Sequence, residues 1–255
     1  MVCKPKWRDS KRGAAFILGA LMISSASAGE SGVFLGAGAS FGFESAAIAS
    51  LRGDQNNTST VNGTTKALST GAELLVGYKF FFTERIGLRG YLSTDYSLVF
   101  FGNKSSKLGV GNYMYGNNLS KLSGLLDMNL NVDVLFDIMS SDAFSLGVFA
   151  GLAGGFHLWH GGVMDEANGI KGEQVDGTTH KDGKTQSVFG SVGLNLGLNI
   201  GLGARHSFEF LSKIPFLEDT VVSYITNGQN NKPSYQSTLK ITRPYSLALR
   251  YIYSF

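Results

Sequence analysis

The sequence predicts an all-β chain: an eight-stranded antiparallel transmembrane β-barrel with short periplasmic turns and four longer extracellular loops. Three observations predict it. Apolar residues recur at every second position over segments of 10 to 18 residues. Soluble strands usually run about 5–6 residues and a bilayer crossing takes about 9–11. The opposite positions hold Gly, Ser and Asn, with few Lys or Glu. Tight turns of three or four residues alternate with connections of twenty or more, as in barrels with one short-turn rim. Alternation alone also fits a soluble β-sandwich or a lipocalin-like barrel, apolar inside and wet outside. Strand length, the polar face and the connections argue against that alternative.

Residues 1–28 read as a secretory signal peptide and 29–255 as the barrel. Lys4, Lys6, Arg8, Lys11 and Arg12 form a basic start, Ala14 to Ile23 an apolar stretch, and Ala26-Ser27-Ala28 the small-residue cleavage site. That segment holds five of the 22 Lys and Arg and one of the 19 Asp and Glu, so the remainder carries 17 basic and 18 acidic side chains, a net of −1. No basic footprint for nucleic acid survives. The one cysteine, Cys3, excludes a disulfide scaffold and a Cys-based zinc site. No apolar run reaches the 18 or so residues of a membrane helix.

Eight strands follow in order. In 32–43, Val33, Leu35, Ala37, Ala39, Phe41 and Phe43 oppose Phe34, Gly36, Gly38, Ser40 and Gly42. In 72–82, Leu74, Val76, Tyr78 and Phe80 oppose Glu73, Leu75, Gly77 and Lys79, and in 86–98 Leu88, Leu92 and Tyr96 oppose Arg89, Tyr91 and Asp95. Segment 122–138 sets Leu126, Met128, Leu130, Val132 and Val134 against Asp127, Asn129, Asn131 and Asp133. Strands 144–157 and 188–202 follow, the latter with Leu194, Leu196 and Leu198 opposite Asn195, Gly197 and Asn199. A helix would smear those asparagines and glycines around its surface. The last two are 207–216 and 238–255, where Leu239, Ile241, Tyr245, Leu247, Leu249, Tyr251, Tyr253 and Phe255 are read as one lipid-facing set.

Thr83-Glu84-Arg85, Met139 to Asp142 and Gly203 to His206 are the tight turns; 44–69, 99–119, 158–186 and 217–236 are the long loops. Aromatic residues gather at both rims. Phe80, Phe82, Phe136, Phe144, Phe208, Tyr251, Tyr253 and Phe255 lie at the short-turn end, and Phe41, Phe43, Tyr96, Phe156 and Trp159 at the other. Two girdles around an aliphatic band suit two lipid interfaces. Because a bilayer leaves unpaired backbone groups unsolvated, the first strand must close on the eighth.

The stretches 31–42, 76–97, 132–155, 206–217 and 243–255 resemble the Helicobacter-type outer membrane protein family, which includes adhesins and porins. They carry a glycine-aromatic first strand (SGVFLGAGASFG), a second strand with GYK-FF, and a terminal aromatic ladder ending in Phe (RPYSLALRYIYSF). The resemblance covers the strands and turns and leaves the loops unplaced. It implies a barrel in the outer membrane of a Gram-negative bacterium, in contact with outer-membrane lipids. It also implies that Tyr251, Tyr253 and Phe255 are the signal through which the C-terminal strand meets the barrel-assembly machinery. Adhesin members carry a large insertion after the first strand, where this sequence has only 44–69. No receptor is therefore implied.

No catalytic, cofactor or metal residues are predicted. The histidines are His157, His160, His180 and His206, without an HExxH or Cys partner. His206-Ser207 near Glu209 is similar to the Ser/His/acid set of barrel lipid hydrolases, but His206 falls in a predicted periplasmic turn and Glu209 should face the lumen while Phe208 and Phe210 face lipid. Asp54-Gln55-Asn56-Asn57-Thr58 has the form of an acidic bacterial N-glycosylation sequon, and chance in a polar loop also produces it. GxxxG at Gly147–Gly151 and Gly193–Gly197 places small residues on one strand face. The informative set is a lumen charge network: Glu73, Lys79, Arg89, Asp95, Asp127, Asp133, Asp137, Glu209, Lys213, Lys240 and Arg250. Lys79 should lie opposite Arg89 and Glu73 opposite Asp95. Counter-charges are expected from Arg89 with Asp133 or Asp137, and from Arg250 with Glu209. Eight strands leave room for side chains or one small ligand, so such a network would plug the lumen. Tyr113, Tyr115, Trp159 and His160 are candidate loop contacts for a host or extracellular ligand.

The expected function is that of a non-enzymatic outer-membrane barrel with surface-exposed loops, in a structural or surface-interaction role. A narrow porin-like channel is the first alternative and a lipid A-modifying barrel enzyme the second.

Overall fold

The computed structural model describes residues 31–54, 57–101, 108–110, 113–115, 119, 121–141, 143–172, 174–175, 178–179, 184–226 and 234–255. Residues 1–28, Asn56 and His180 lie outside them. In chain order the elements are β1 (Gly32–Asp54), β2 (Asn57–Phe81), β3 (Ile86–Phe101), β4 (Leu108–Val110), β5 (Tyr113–Tyr115), β6 (Ser123–Ser140) and β7 (Phe144–Gly161). Then come the helix α1 (Gly162–Gly172), β8 (Gln174–Val175), β9 (Thr178–Thr179), β10 (Lys184–Thr185), β11 (Val188–Leu202), β12 (His206–Pro215), β13 (Asp219–Thr226) and β14 (Ser234–Ser254).

The wall runs β1-β2-β3-β6-β7-β11-β12-β14, antiparallel throughout, and β14 pairs back onto β1 from Phe34↔Ser254 to Gly53↔Ser234. This is the closed eight-stranded barrel. Above β12 and β11 the wall continues through β13, which pairs with upper β14 and with β10. β4–β5 and β8–β9 are small separate hairpins.

Lipid selects the polarity of this wall. Leu74 is 67 % exposed and its neighbour Leu75 is 4 % exposed. Leu35, Leu92, Leu130, Leu152, Leu196 and Leu249 share the outer face, while Glu73, Arg89, Asp127, Asp133, Glu209 and Arg250 are buried inside. A soluble domain buries the first set and solvates the second; a membrane barrel inverts both. Phe80, Phe82, Phe136, Phe144, Phe208, Tyr251 and Phe255 face out near the short turns.

Three of the four long connections begin later than the alternation predicts. β1 spans 23 residues, so at about 3.3 Å per residue it far outreaches the roughly 25 Å apolar band. Above that band the outward positions are Ser45, Ala47 and Ala49, with Glu44, Ala46, Ile48 and Ser50 buried opposite them. Period two continues there without a lipid-grade face to display it. Stretch 217–236 likewise holds β13, and 158–186 holds the end of β7 and α1.

A bulge corrects the last strand. Phe43 lies opposite Tyr245 but Ser45 lies opposite Thr242, so β14 carries one extra residue there. One extra residue exchanges inside for outside, and Pro244, which has no N–H for a ladder, sits within it. Leu239 and Ile241 are therefore buried rather than lipid-facing. Lys240, predicted in the lumen, is exposed on the outside and meets the exposed Glu218 at 3.7 Å.

The long-connection mouth is filled. Gly161, at φ 74°, turns the chain from β7 into α1. The Gly162 N–H donates to the Leu122 carbonyl at 3.0 Å and the Val163 N–H to Ser123 Oγ at 3.0 Å. Val163, Ala167 and Ile170, at helical spacing, pack into a core with Trp159, Phe101, Leu125, Val221 and Leu239.

Candidate functional site

The site is the interior of the cylinder, built as stacked layers. The central layer holds two arginines. Arg89 on β3 donates to Asp133 on β6 at 2.9 Å, as their opposed register allows, and pairs with Glu209 on β12. Arg250 on β14 grips Glu73 on β2 through two hydrogen bonds of 2.7 and 2.6 Å and lies 3.8 Å from Glu209. Its Nη1 donates to Tyr91 Oη at 3.2 Å. Asn195 Nδ2 donates to Asn131 Oδ1 at 3.0 Å and to Asp133 Oδ1 at 3.1 Å. The Arg89 guanidinium also sits 4.3 Å from the Phe149 ring centre.

The Arg250–Glu73 and Asn195–Asp133 bonds each skip a strand, and glycine makes the room. Gly38 on β1 is the register partner of both Arg250 and Glu73. A Cβ there would lie 3.0 Å from Arg250 Cγ. Gly151 on β7 stands in the same way between Asp133 and Asn195, and a Cβ there would lie 2.2 Å from Asp133 Oδ1. The interior glycines are the gaps through which the network crosses the lumen.

Above this layer Arg243 on β14 donates to Asp127 on β6 at 3.0 Å and approaches Glu44 to 3.8 Å. Ser69 Oγ donates to Glu44 at 2.7 Å, and Ser97 Oγ to Asp95 at 2.5 Å. Lys213, Asp95 and Asp127 line a cavity of about 20 Å³, room for about one water. Higher still, the Trp159 indole N–H donates to Asp219 at 2.8 Å, and His157 Nε2 lies 2.6 Å from the same oxygen. Below the central layer Lys79, Asp137, Arg89 and Glu209 line a cavity of about 50 Å³ at the short-turn end. Chemically, charges held in two-pronged, hydrogen-bonded pairs resist separation, and the water spaces on either side are small.

Measured against the sequence expectation, Lys79 does face Arg89 and Glu73 does face Asp95 in register. Ten of the eleven predicted lumen charges point inward, Lys240 being the exception. Both expected pairs form, Arg89 with Asp133 and Arg250 with Glu209, and each arginine has a further partner that was not expected, Glu209 for Arg89 and Glu73 for Arg250. Glu44, Arg243 and Asp219 were not among the predicted residues. Pro244 was the available sign that Arg243 turns inward. Tyr91, Asn131 and Asn195 lay on the polar face from the start and belong to the network.

Trp159 is 1 % exposed, locked in the plug, so as a loop contact it is corrected. His160 is exposed on the outer wall, where its Nε2 lies 3.1 Å from Tyr96 Oη. Tyr113 and Tyr115 lie in β5, and their side chains fall outside the described residues. Tyr251 on β14 and Phe255 just past its end face outward, and β14 pairs with both β1 and β12. His206 bonds Tyr251 Oη at 2.6 Å on the outer wall, while Glu209 is buried against Arg89. The wall thus separates that histidine from that acid. Among the described residues no group of three or more His, Cys, Asp or Glu side chains is arranged to hold a metal ion.

Comparison with solved structures finds OprG of Pseudomonas aeruginosa, at 15 % identity and a TM-score of 0.44, covering 91 % of this chain and 98 % of that one. Ail, the attachment invasion locus protein of Yersinia pestis, matches at 12 % identity and 0.33, covering 86 % and 98 %. Neisserial surface protein A matches at 10 % and 0.31, covering 84 % and 97 %. No curated protein sequence matches the chain. Residues 73–255, which include seven of the eight wall strands in whole or part and the whole central ionic layer, match the Helicobacter outer membrane protein family. The chain belongs to that family, and its place is the outer membrane of a Gram-negative cell.

Proposed function

We propose that this protein is a non-conducting, non-catalytic outer-membrane barrel that braces the envelope and presents its long-connection end at the cell surface. The observation that carries the reading is the Arg89–Glu209–Arg250–Glu73 layer, buried and interlocked across the lumen. The core beneath α1 supports it by filling the outer mouth. A transport pore needs a wet, continuous lumen, and here a plug and an ion-pair layer lie in series. The C-terminal strand is read as the assembly signal, with Tyr251, Tyr253 and Phe255 offered to the assembly machinery before β14 closes on β1. Surface contacts to a host or extracellular ligand fall to the long connections.

Planar-bilayer recording of the purified protein tests the reading. The expected trace stays at the baseline of the empty membrane. Large, reproducible steps would replace this proposal with the narrow channel. An altered acylation or phosphate pattern in lipid A from a deletion strain would replace it with the enzyme.

A further inference from the structure

The apolar wall is not evenly convex. Two neighbouring rows of outward side chains cross it, Leu74–Thr94–Met128–Phe156 and Leu35–Val76–Leu92–Leu130–Gly154. Between them lies a hollow of about 700 Å³. It crosses β1, β2, β3, β6 and β7, a length of about 20 Å at the usual interstrand spacing. Gly154 puts no side chain into it, and a Cβ there would meet nothing within 4 Å. The hollow climbs from Leu35, near the start of β1, to Phe156, near the extracellular end of β7. Just above its upper row, Tyr96 and His160 join at 3.1 Å with rings stacked at 5.7 Å. The imidazole crosses β6 over Gly124, where a Cβ would come within 2.1 Å of it.

We propose that the hollow holds one acyl chain of an outer-leaflet lipid, whose polar part meets the Tyr96–His160 pair. The wall stands in hydrocarbon, so the filler at hand is a lipid tail. The volume suits roughly twenty methylene-sized groups, each taken as about the 30 Å³ of a liquid water. The length exceeds the roughly 15 Å of one leaflet's hydrocarbon, so a tail can lie along it. A second copy of the barrel would offer a convex wall, whose separate side chains do not fill a long, narrow hollow. The polar pair sits at the extracellular end, which sets the direction of the lipid.

Native mass spectrometry tests this on protein extracted from outer membranes and washed with detergent. The wild type should keep one lipid per barrel. Gly154→Trp, which fills the hollow without displacing backbone, should lower that occupancy several-fold. Gly154→Leu should do so partially, and it carries the test if the tryptophan variant misfolds. Phe210→Trp, on the outward face of β12 away from the hollow, should leave it unchanged. His160→Ala should shorten retention in a wash series without changing the unfolding midpoint. A wild type free of lipid overturns the proposal, as does equal retention by the Gly154→Trp and Phe210→Trp variants. Dimer masses lost in Gly154→Trp would assign the hollow to a second copy and overturn it equally.

Discussion

Arg250 on β14 and Glu73 on β2 are bonded to each other across an entire strand, at 2.7 and 2.6 Å, with Gly38 of β1 directly between them. Both side chains are buried. Removing one partner strands the other charge in a low-dielectric interior, which typically costs about 3–5 kcal/mol. Arg250→Met should therefore lower the urea midpoint strongly. Arg250→Met with Glu73→Leu should recover most of the loss, because a well-packed apolar pair replaces a buried ion pair at little cost. Trp159, the only tryptophan outside residues 1–28, reports unfolding by its fluorescence. A double variant as weak as the single one would contradict the pairing.

Gly38 itself is the second test. A Cβ at that position lies 2.7 Å from the Leu249 carbonyl oxygen and 3.0 Å from Arg250 Cγ. Gly38→Val should cost about 1–3 kcal/mol, as overpacking does. In the Arg250→Met background the penalty should shrink, since contacting sites are not additive. Identical penalties in the two backgrounds would mean that Gly38 does not clear the arginine's path.

The bulge in β14 predicts unequal outcomes three residues apart. Arg243→Leu removes the guanidinium that Asp127 and Glu44 share, for an expected loss of about 3–5 kcal/mol. Lys240→Leu removes only an exposed pair and should stay within about 0.5 kcal/mol. Urea titration of both variants checks this. The reverse order would place the extra residue elsewhere in the strand.

These residues also show where the sequence was readable. Leu74 against Leu75, or Leu196 against Asn195, could be assigned by alternation because lipid enforces it over the whole crossing. Lys240 was misplaced because one inserted residue inverts that alternation, and Pro244 was its only local sign. The strand at Glu44 looked like loop because Ala47 and Ala49 stand above the lipid, where nothing selects bulk. Arg250 with Glu73 could not be read at all: that contact depends on closure between the first and last strands and on which glycine stands between them. The plug left a trace in the spacing of Val163, Ala167 and Ile170, which is helical rather than strand-like.

The plug makes its own prediction. Val163 is fully buried beside Trp159 in the mouth. Val163→Asp places a carboxylate there without a partner, which should expel α1 from the mouth. Iodide quenching of Trp159 should be weak in the wild type and rise clearly in the variant. Strong quenching of the wild type would show that the mouth is open.

Spin labels at adjacent positions report whether the cylinder wears its apolar residues outside and its small and ionic ones inside. Cys3 is the only cysteine and lies within residues 1–28, so Leu74→Cys and Leu75→Cys can be labelled singly in a chain lacking that segment. In lipid vesicles the label at 74 should be mobile and readily relaxed by oxygen, and the label at 75 immobile and shielded. Equal accessibility at the two positions, or the opposite pattern, would mean that the wall does not carry its apolar face outward.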